Sequence, residues 1–216
     1  ILISLKPRGK PPGDANAEQM KIISKISEKF SFSEIRVTHE QNLVLPHVKN
    51  SDLLEVWSEL KKYNLATPNL GLITDTICCP GMDYCSLATA RSIPISQKIT
   101  EYYQKFDKQN DIGDLKIKIS GCINACGHHH VGNIGILGLD RNGEESYQIT
   151  LGGSANQNAS IGKIIGPSFP EDRLFNAIEK ILTVYKQNRK NSNEDFLSVF
   201  NRLGVEPFKK EVYDST

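Results

Sequence analysis

Apolar positions along the chain change period from segment to segment. Met20, Ile23, Ile26 and Phe30 recur at helical spacing. They predict a helix starting near Asn16, capped by that side chain with Gln19 reaching back from three residues on. Ile35 and Val37 alternate with Glu34, Arg36 and Thr38, the period-two pattern of a half-buried strand. Residues 2–5 and Leu43-Val44-Leu45 read as two more strands, the second ended by Pro46. A second helix, capped by Asn50 or Ser51, is expected to bury Leu53, Leu54, Trp57 and Leu60. Residues 1–66 thus read β-α-β-β-α, two helices on one face of a small sheet. That is a ferredoxin-like α+β unit.

A second region, residues 67–216, opens at Thr67-Pro68 and reads as a mixed-sheet domain. A loop holding Cys79 and Cys85 leads into a helix expected to break near Pro94 and resume at about Ser96. Residues 115–119 alternate as a strand that runs directly into Gly121-Cys122. Residues 135–139 and 147–151 pair around Asp140-Arg141-Asn142-Gly143, where Asn-Gly supplies the turn. A helix with Pro170 in first position carries Leu174, Ile178, Ile181, Leu182 and Tyr185 on one face. A last helix holds Phe196, Val199, Phe200 and Leu203, with Gly204 as its C-cap.

Composition narrows the function. The chain has 216 residues, 38% hydrophobic, with a formal net charge of +1, enough for an ordinary core and too neutral for a dedicated nucleic-acid binder. No apolar run approaches the roughly 18 residues that span a bilayer, so no membrane partner is expected. Ile1 to Lys6 is too short an apolar stretch for a signal peptide. A start without Met, inside a strand, leads us to expect a piece of a longer protein. Four of the five cysteines fall in two tight clusters, which suggests a metal or redox site in a reducing compartment, the cytoplasm.

Five residues separate Cys79 from Cys85, and three separate Cys122 from Cys126. Gly81, Gly121 and Gly127 allow the backbone to approach closely and aim its amides at sulfur. Zinc prefers C-x₂₋₄-C spacing, which only the second pair satisfies. Buried structural cysteines remain an alternative, and disulfides are disfavoured by the compartment. Spacing alone favours iron–sulfur ligation without closing the other readings. Cys78 is the odd thiol and would give a six-residue spacing to Cys85. His128, His129 and His130 cannot all face one ion on regular backbone; they read as a polar lining, one of them a candidate contact beside the cluster.

The string Cys79-Pro-Gly-Met-Asp-Tyr-Cys85-Ser-Leu-Ala, then Ser120-Gly-Cys-Ile-Asn-Ala-Cys126-Gly and Val131-Gly-Asn-Ile-Gly-Ile-Leu-Gly138, resembles the sirohaem/[4Fe–4S] signature of assimilatory sulfite and nitrite reductases. Ile35-Arg-Val-Thr-His-Glu-Gln-Asn-Leu43 and Leu151-Gly-Gly153 resemble two further family stretches. The resemblance implies that Cys79, Cys85, Cys122 and Cys126 hold a [4Fe–4S] cluster within a sirohaem- and cluster-binding domain. Cys126, the residue it makes catalytic, would also bridge to the sirohaem iron. Asn124 matches a family Asn near the macrocycle, and Gln41 and Asn42 its sirohaem-contacting polar pair. Sirohaem carries about eight carboxylates and needs cationic and amide partners; Arg36 occupies a family position that could supply one. Lys6, Arg8 and Lys10 read as a solvated basic loop. By the same resemblance the activity is six-electron reduction of a small inorganic anion, sulfite or nitrite. Electrons would come from ferredoxin or a flavoprotein reductase subunit. The substrate-binding Arg and Lys residues would lie in a missing N-terminal half. A precorrin-3B synthase-like enzyme and a bare Fe–S electron-transfer module are the alternatives.

Overall fold

The computed structural model describes residues 1–103 and 106–214. The fold is α+β, in two compact units, Ile1–Leu70 and Gly71–Thr216.

The first unit contains β1 (Leu2–Ile3), α1 (Ala17–Phe30), β2 (Arg36–Val37), β3 (Leu43–Val44) and α2 (Leu53–Lys62). Its antiparallel sheet has the order β1-β3-β2, with Leu2 opposite Val44 and Val37 opposite Leu43. The capping box forms: the Gln19 amide donates to Asn16 Oδ1 at 2.8 Å, and the Asn16 amide donates to Gln19 Oε1 at 3.0 Å. Ile23 and Ile26 of α1 meet Ile3, Leu45, Val56 and Leu60 in the core.

Several facing directions differ from the sequence expectation. Met20 is 63% exposed and Val37 81% exposed, because β2 is an edge strand and α1 turns a narrower face inward. α2 buries the i, i+4 pair Val56 and Leu60, which puts Leu53 and Trp57 on its flank and Leu54 on its far side. Neither Asn50 nor Ser51 caps α2. A 3₁₀ turn, Asn50–Asp52, occupies that position, and Asp52 precedes the helix without a side-chain cap bond. Lys6 is not part of a solvated loop: it is buried, and its Nζ donates to the Glu40 carbonyl.

The second unit contains β4 (Ile77–Cys78), α3 (Ile93–Tyr102), α4 (Phe106–Ile112), β5 (Ile117–Ser120), β6 (Ile134–Arg141), β7 (Glu144–Leu151), β8 (Lys163–Ile164), α5 (Glu171–Asn188), α6 (Phe196–Leu203) and α7 (Glu206–Asp214). Its sheet is mixed, in the order β4-β5-β6-β7-β8. β4, β5 and β6 run parallel, whereas β6 with β7 and β7 with β8 are antiparallel. Ile117, Ile119, Ile134, Ile136, Ile149 and Leu151 of the sheet pack with Leu174, Ile178 and Ile181 of α5. Asn142 and Gly143 both take positive φ, as a two-residue type I′ hairpin loop requires.

Pro94 does not break a helix. It lies in the first turn of α3, where a missing N–H costs nothing, and residues 85–92 form turns. Pro170 is the N-cap of α5, one residue before the helix proper. α7 buries only Phe208 and Val212, too sparse a stripe for periodicity to reveal.

Candidate metal centre

β4 and β5 lie side by side and parallel, with Cys78 opposite Ile119. Cys79 follows β4 directly, and Gly121-Cys122 follow the last residue of β5. Both cysteine loops therefore leave the same, carboxyl edge of the sheet from adjacent strands, the edge at which open α/β sheets place ligands. Strand alternation sends Cys78 into the core, where it is 3% exposed among Ile95, Ile99 and Ile119. Cys79, on the opposite parity, opens the loop.

The two loops pack backbone against backbone. An added Cβ at Gly121 would stand 2.6 Å from the Ala90 carbonyl oxygen and 2.9 Å from Gly81 Cα. At Gly127 it would stand 1.8 Å from the Ile119 carbonyl oxygen. The Thr89 and Ala90 amides both donate to the Gly121 carbonyl, at 2.9 and 3.0 Å, and the Cys85 amide donates to Gly81 O at 2.9 Å. The Gly127 amide donates to Ser120 Oγ at 3.2 Å. Arg91 fastens the first loop to the hairpin. Its guanidinium meets Glu145 at 3.2 Å and Asp83 at 3.7 Å, and the Tyr147 hydroxyl donates to the same Glu145 at 3.0 Å.

Around the sulfurs the environment is graded. Cys79 and Cys122 are buried, Cys85 is half-buried and Cys126 is exposed; none is in a disulfide. Cys79 Sγ accepts the Gly121 amide at 3.1 Å and lies 3.6 Å from Ser92 Oγ. Cys126 Sγ has the Asn124 carbonyl at 4.0 Å. Among the described residues, no three Cys, His, Asp or Glu side chains gather around a point that one metal ion could occupy. In a four-iron cluster each iron takes its own thiolate, so the ligands stand apart around a cube. Two glycine-lined loops with an amide aimed at sulfur fit such a group.

The other sequence candidates are distributed over the two units. Asn124 is exposed and sits two residues before Cys126. Asn42 is buried in the first unit, where its Oδ1 accepts the Leu5 amide at 3.2 Å. Gln41 precedes it with a positive φ of 55°. Arg36 is exposed on β2, and its Nε contacts Glu34 at 2.6 Å.

Sequence reasoning missed Ser92, whose hydroxyl donates to the Cys79 carbonyl. A serine just before Ile93-Pro94 signals a helix start, and nothing local ties it to sulfur. It also left open which of the three histidines matters. His129 is 2% exposed and its Nδ1 has no protein partner, while His128 and His130 are exposed. Burial, helped by the charge of His130, holds the His129 ring down to about 4 from an ordinary 6.5. Between those two values the unfolded chain takes up a proton that the folded ring refuses. Stability from this source is complete above pH 6.5 and is lost as the pH falls toward 4. Urea melts of the metal-free chain are expected to lose roughly 1–3 kcal/mol more over that range than melts of His129→Asn. Parallel profiles for the two proteins would count against it.

Comparison with known proteins identifies the family. A family model described as the nitrite and sulphite reductase 4Fe-4S domain matches residues 71–216, and the nitrite/sulfite reductase ferredoxin-like half domain matches residues 8–63. The chloroplastic ferredoxin–nitrite reductase of Spinacia oleracea is 27% identical over 179 residues, 80% of this chain and 30% of that protein. An assimilatory-type sulfite reductase of Nitratidesulfovibrio vulgaris is 24% identical over 178 residues, 82% of this chain and 78% of that protein. This chain thus spans about a third or less of the plant relative but most of the bacterial one. Among solved structures, the NirA protein of Mycobacterium tuberculosis superposes with a TM-score of 0.78 at 20% identity, over 96% of this chain and 39% of that one. Dissimilatory sulfite reductase I superposes with a TM-score of 0.77 at 15% identity, over 98% and 68%. The two family models together cover residues 8–63 and 71–216, and this chain belongs to the nitrite and sulphite reductase family.

Proposed function

We propose that this chain carries the cluster and the cluster-linked face of the haem in a sirohaem-dependent sulfite or nitrite reductase. Cys79, Cys85, Cys122 and Cys126 are the ligands in this reading, and Cys126 is shared with the sirohaem iron. The observation that carries it is the exit of both cysteine loops from adjacent parallel strands, with an amide already directed at Cys79 Sγ. When bound, the cluster supplies electrons one at a time and the haem supplies the iron at which the anion is reduced. Cys79 and Cys122 anchor from the buried side, while exposure leaves Cys126 able to take a second partner. Asn124, two residues from Cys126, is the macrocycle-side amide in this reading. Gln41, Asn42 and Arg36 are the carboxylate-contacting residues, and Arg36 would exchange its Glu34 partner for a haem carboxylate. Ferredoxin is the preferred electron donor, because the nitrite reductase relatives carry it in their names. No helix among the described residues is long and apolar enough to cross a membrane, and a reducing, cytoplasmic setting suits cysteines that form no disulfide.

The chain contains one match to a ferredoxin-like half domain, so the anion-binding cations are assigned to a further half. Purified chain loaded with both groups is then expected to show no multiple turnover of sulfite or nitrite with reduced methyl viologen. The bacterial sulfite reductase of which this chain covers 78% favours a second reading, a short reductase that acts alone. Sustained turnover by the purified chain would establish that reading and overturn the first.

A further inference from the structure

Ser92 precedes α3, the position at which a serine ordinarily turns its hydroxyl onto the first free amides of the helix. Here no such cap bond forms. The hydroxyl donates instead to the Cys79 carbonyl and lies 3.6 Å from Cys79 Sγ, a hydrogen-bonding distance for so large an atom. The residue is 0% exposed. A Cβ on Gly81 would come within 2.5 Å of Ser92 Oγ and 2.6 Å of its nitrogen, so the ligand loop is pressed against this serine.

On another side the Gly121 amide donates to the same sulfur at 3.1 Å. Cys79 is therefore flanked by an N–H from the second cysteine loop and an O–H from the start of a ten-residue helix. The positive end of that helix adds to both. While Cys79 is a thiol, its S–H can donate to Ser92 Oγ. Once the sulfur has lost its proton it can only accept, and the serine proton is shared between the Cys79 carbonyl and the thiolate. Hydrogen bonds to a ligand sulfur draw electron density from it and make a cluster easier to reduce. Cys126 provides the contrast, since the group near its sulfur is a carbonyl, an acceptor.

We infer that Ser92 sets the reduction potential of the cluster through Cys79, raising it by a hydrogen bond to the thiolate at the expense of its own helix cap. The inference rests on the reading of Cys79 as an iron ligand. Ser92 acts through that ligand and is a positioning residue, not a catalytic one.

The test uses the full chain, reconstituted anaerobically with iron and sulfide alone and titrated electrochemically with electron paramagnetic resonance as the readout. At the poise where half of the native clusters are reduced, Ser92→Ala is expected to show a reduced-to-oxidised ratio about 3- to 10-fold lower, tenfold being ~59 mV for one electron. Ser92→Thr, which keeps the hydroxyl, is expected to return most of the shift. Ser96→Ala removes a buried hydroxyl of the same helix that bonds Thr76 rather than a ligand, and is expected to leave the potential unchanged. An unshifted potential in iron-replete Ser92→Ala overturns the inference, as does an equal shift in Ser96→Ala. Loss of iron from a folded Ser92→Ala also overturns it, because the hydroxyl would then hold the ligand instead of tuning it. A native chain that fails to bind four irons overturns the cluster assignment itself, and this inference with it.

Discussion

Gly127→Ala is expected to leave the chain without iron and to destabilise the Gly71–Thr216 unit by more than about 3 kcal/mol. The added Cβ would stand 1.8 Å from the Ile119 carbonyl oxygen, 2.6 Å from its carbon and 3.1 Å from the Cys79 nitrogen. All three are backbone atoms, so no side chain can swing aside to make room. The Ile119 carbonyl also accepts the Cys79 amide at 3.2 Å, which ties the exit of β4 to the end of β5. A methyl group at 127 therefore separates the two strands where their ligand loops begin. Iron per chain after anaerobic reconstitution and a thermal melt of the metal-free protein measure the two effects. Full iron content with a native melt would show that the loops do not depend on this contact.

Cys126→Ser is expected to act in the opposite way, sparing the fold and losing the function. Cys126 is exposed and its sulfur touches little besides the Asn124 carbonyl, so the metal-free variant should melt within about 0.5 kcal/mol of the native chain. In the proposed reading, that sulfur is the only covalent link between the cluster and the sirohaem iron. Its loss is expected to remove the magnetic coupling between the two centres and to lower reductase activity by more than about 100-fold, beyond the cost usual for mere supporting partners of a metal site. Activity would be measured in whichever assembly of the native chain turns over. A Cys126→Ser protein that keeps the coupling would place the bridge on another residue. Cys79→Ser would not give the same separation, because Cys79 is buried and engages Gly121, so the substitution perturbs the loop as well as the ligand.

The features legible in the sequence were those fixed by local chemistry. Asn16 and Gln19 announce a capping box wherever they stand three residues apart, and Asn142-Gly143 suits a tight hairpin because both accept positive φ. Gly204, at φ 74°, ends α6 for the same reason. Facing directions were less legible. Whether Trp57 or Val56 of α2 turns inward depends on what packs against the helix, and the apolar pattern accommodates both choices. The cysteine spacing with its resemblance singled out the loops. It could not reveal that they share a sheet edge, since that follows from pairing Cys78 with Ile119, far along the chain. Ser92 was illegible for a related reason: a helix-start serine is spent on a sulfur that the sequence places thirteen residues earlier.

Cys78 and Cys79 face opposite sides of the sheet, one in the core and one at the ligand loop. A slip of β4 by a single residue toward the loop would put Cys78 at the ligand position and Ile77 in its core place, so neither position would receive a chemically foreign side chain. Ordinarily such a slip is rejected because it drives polar groups inward and apolar groups out. Side-chain identity gives almost no protection at this one step. The alignment is instead guarded by the main chain, through the Cys79 amide on Ile119 and the close seat of Gly127 beside both.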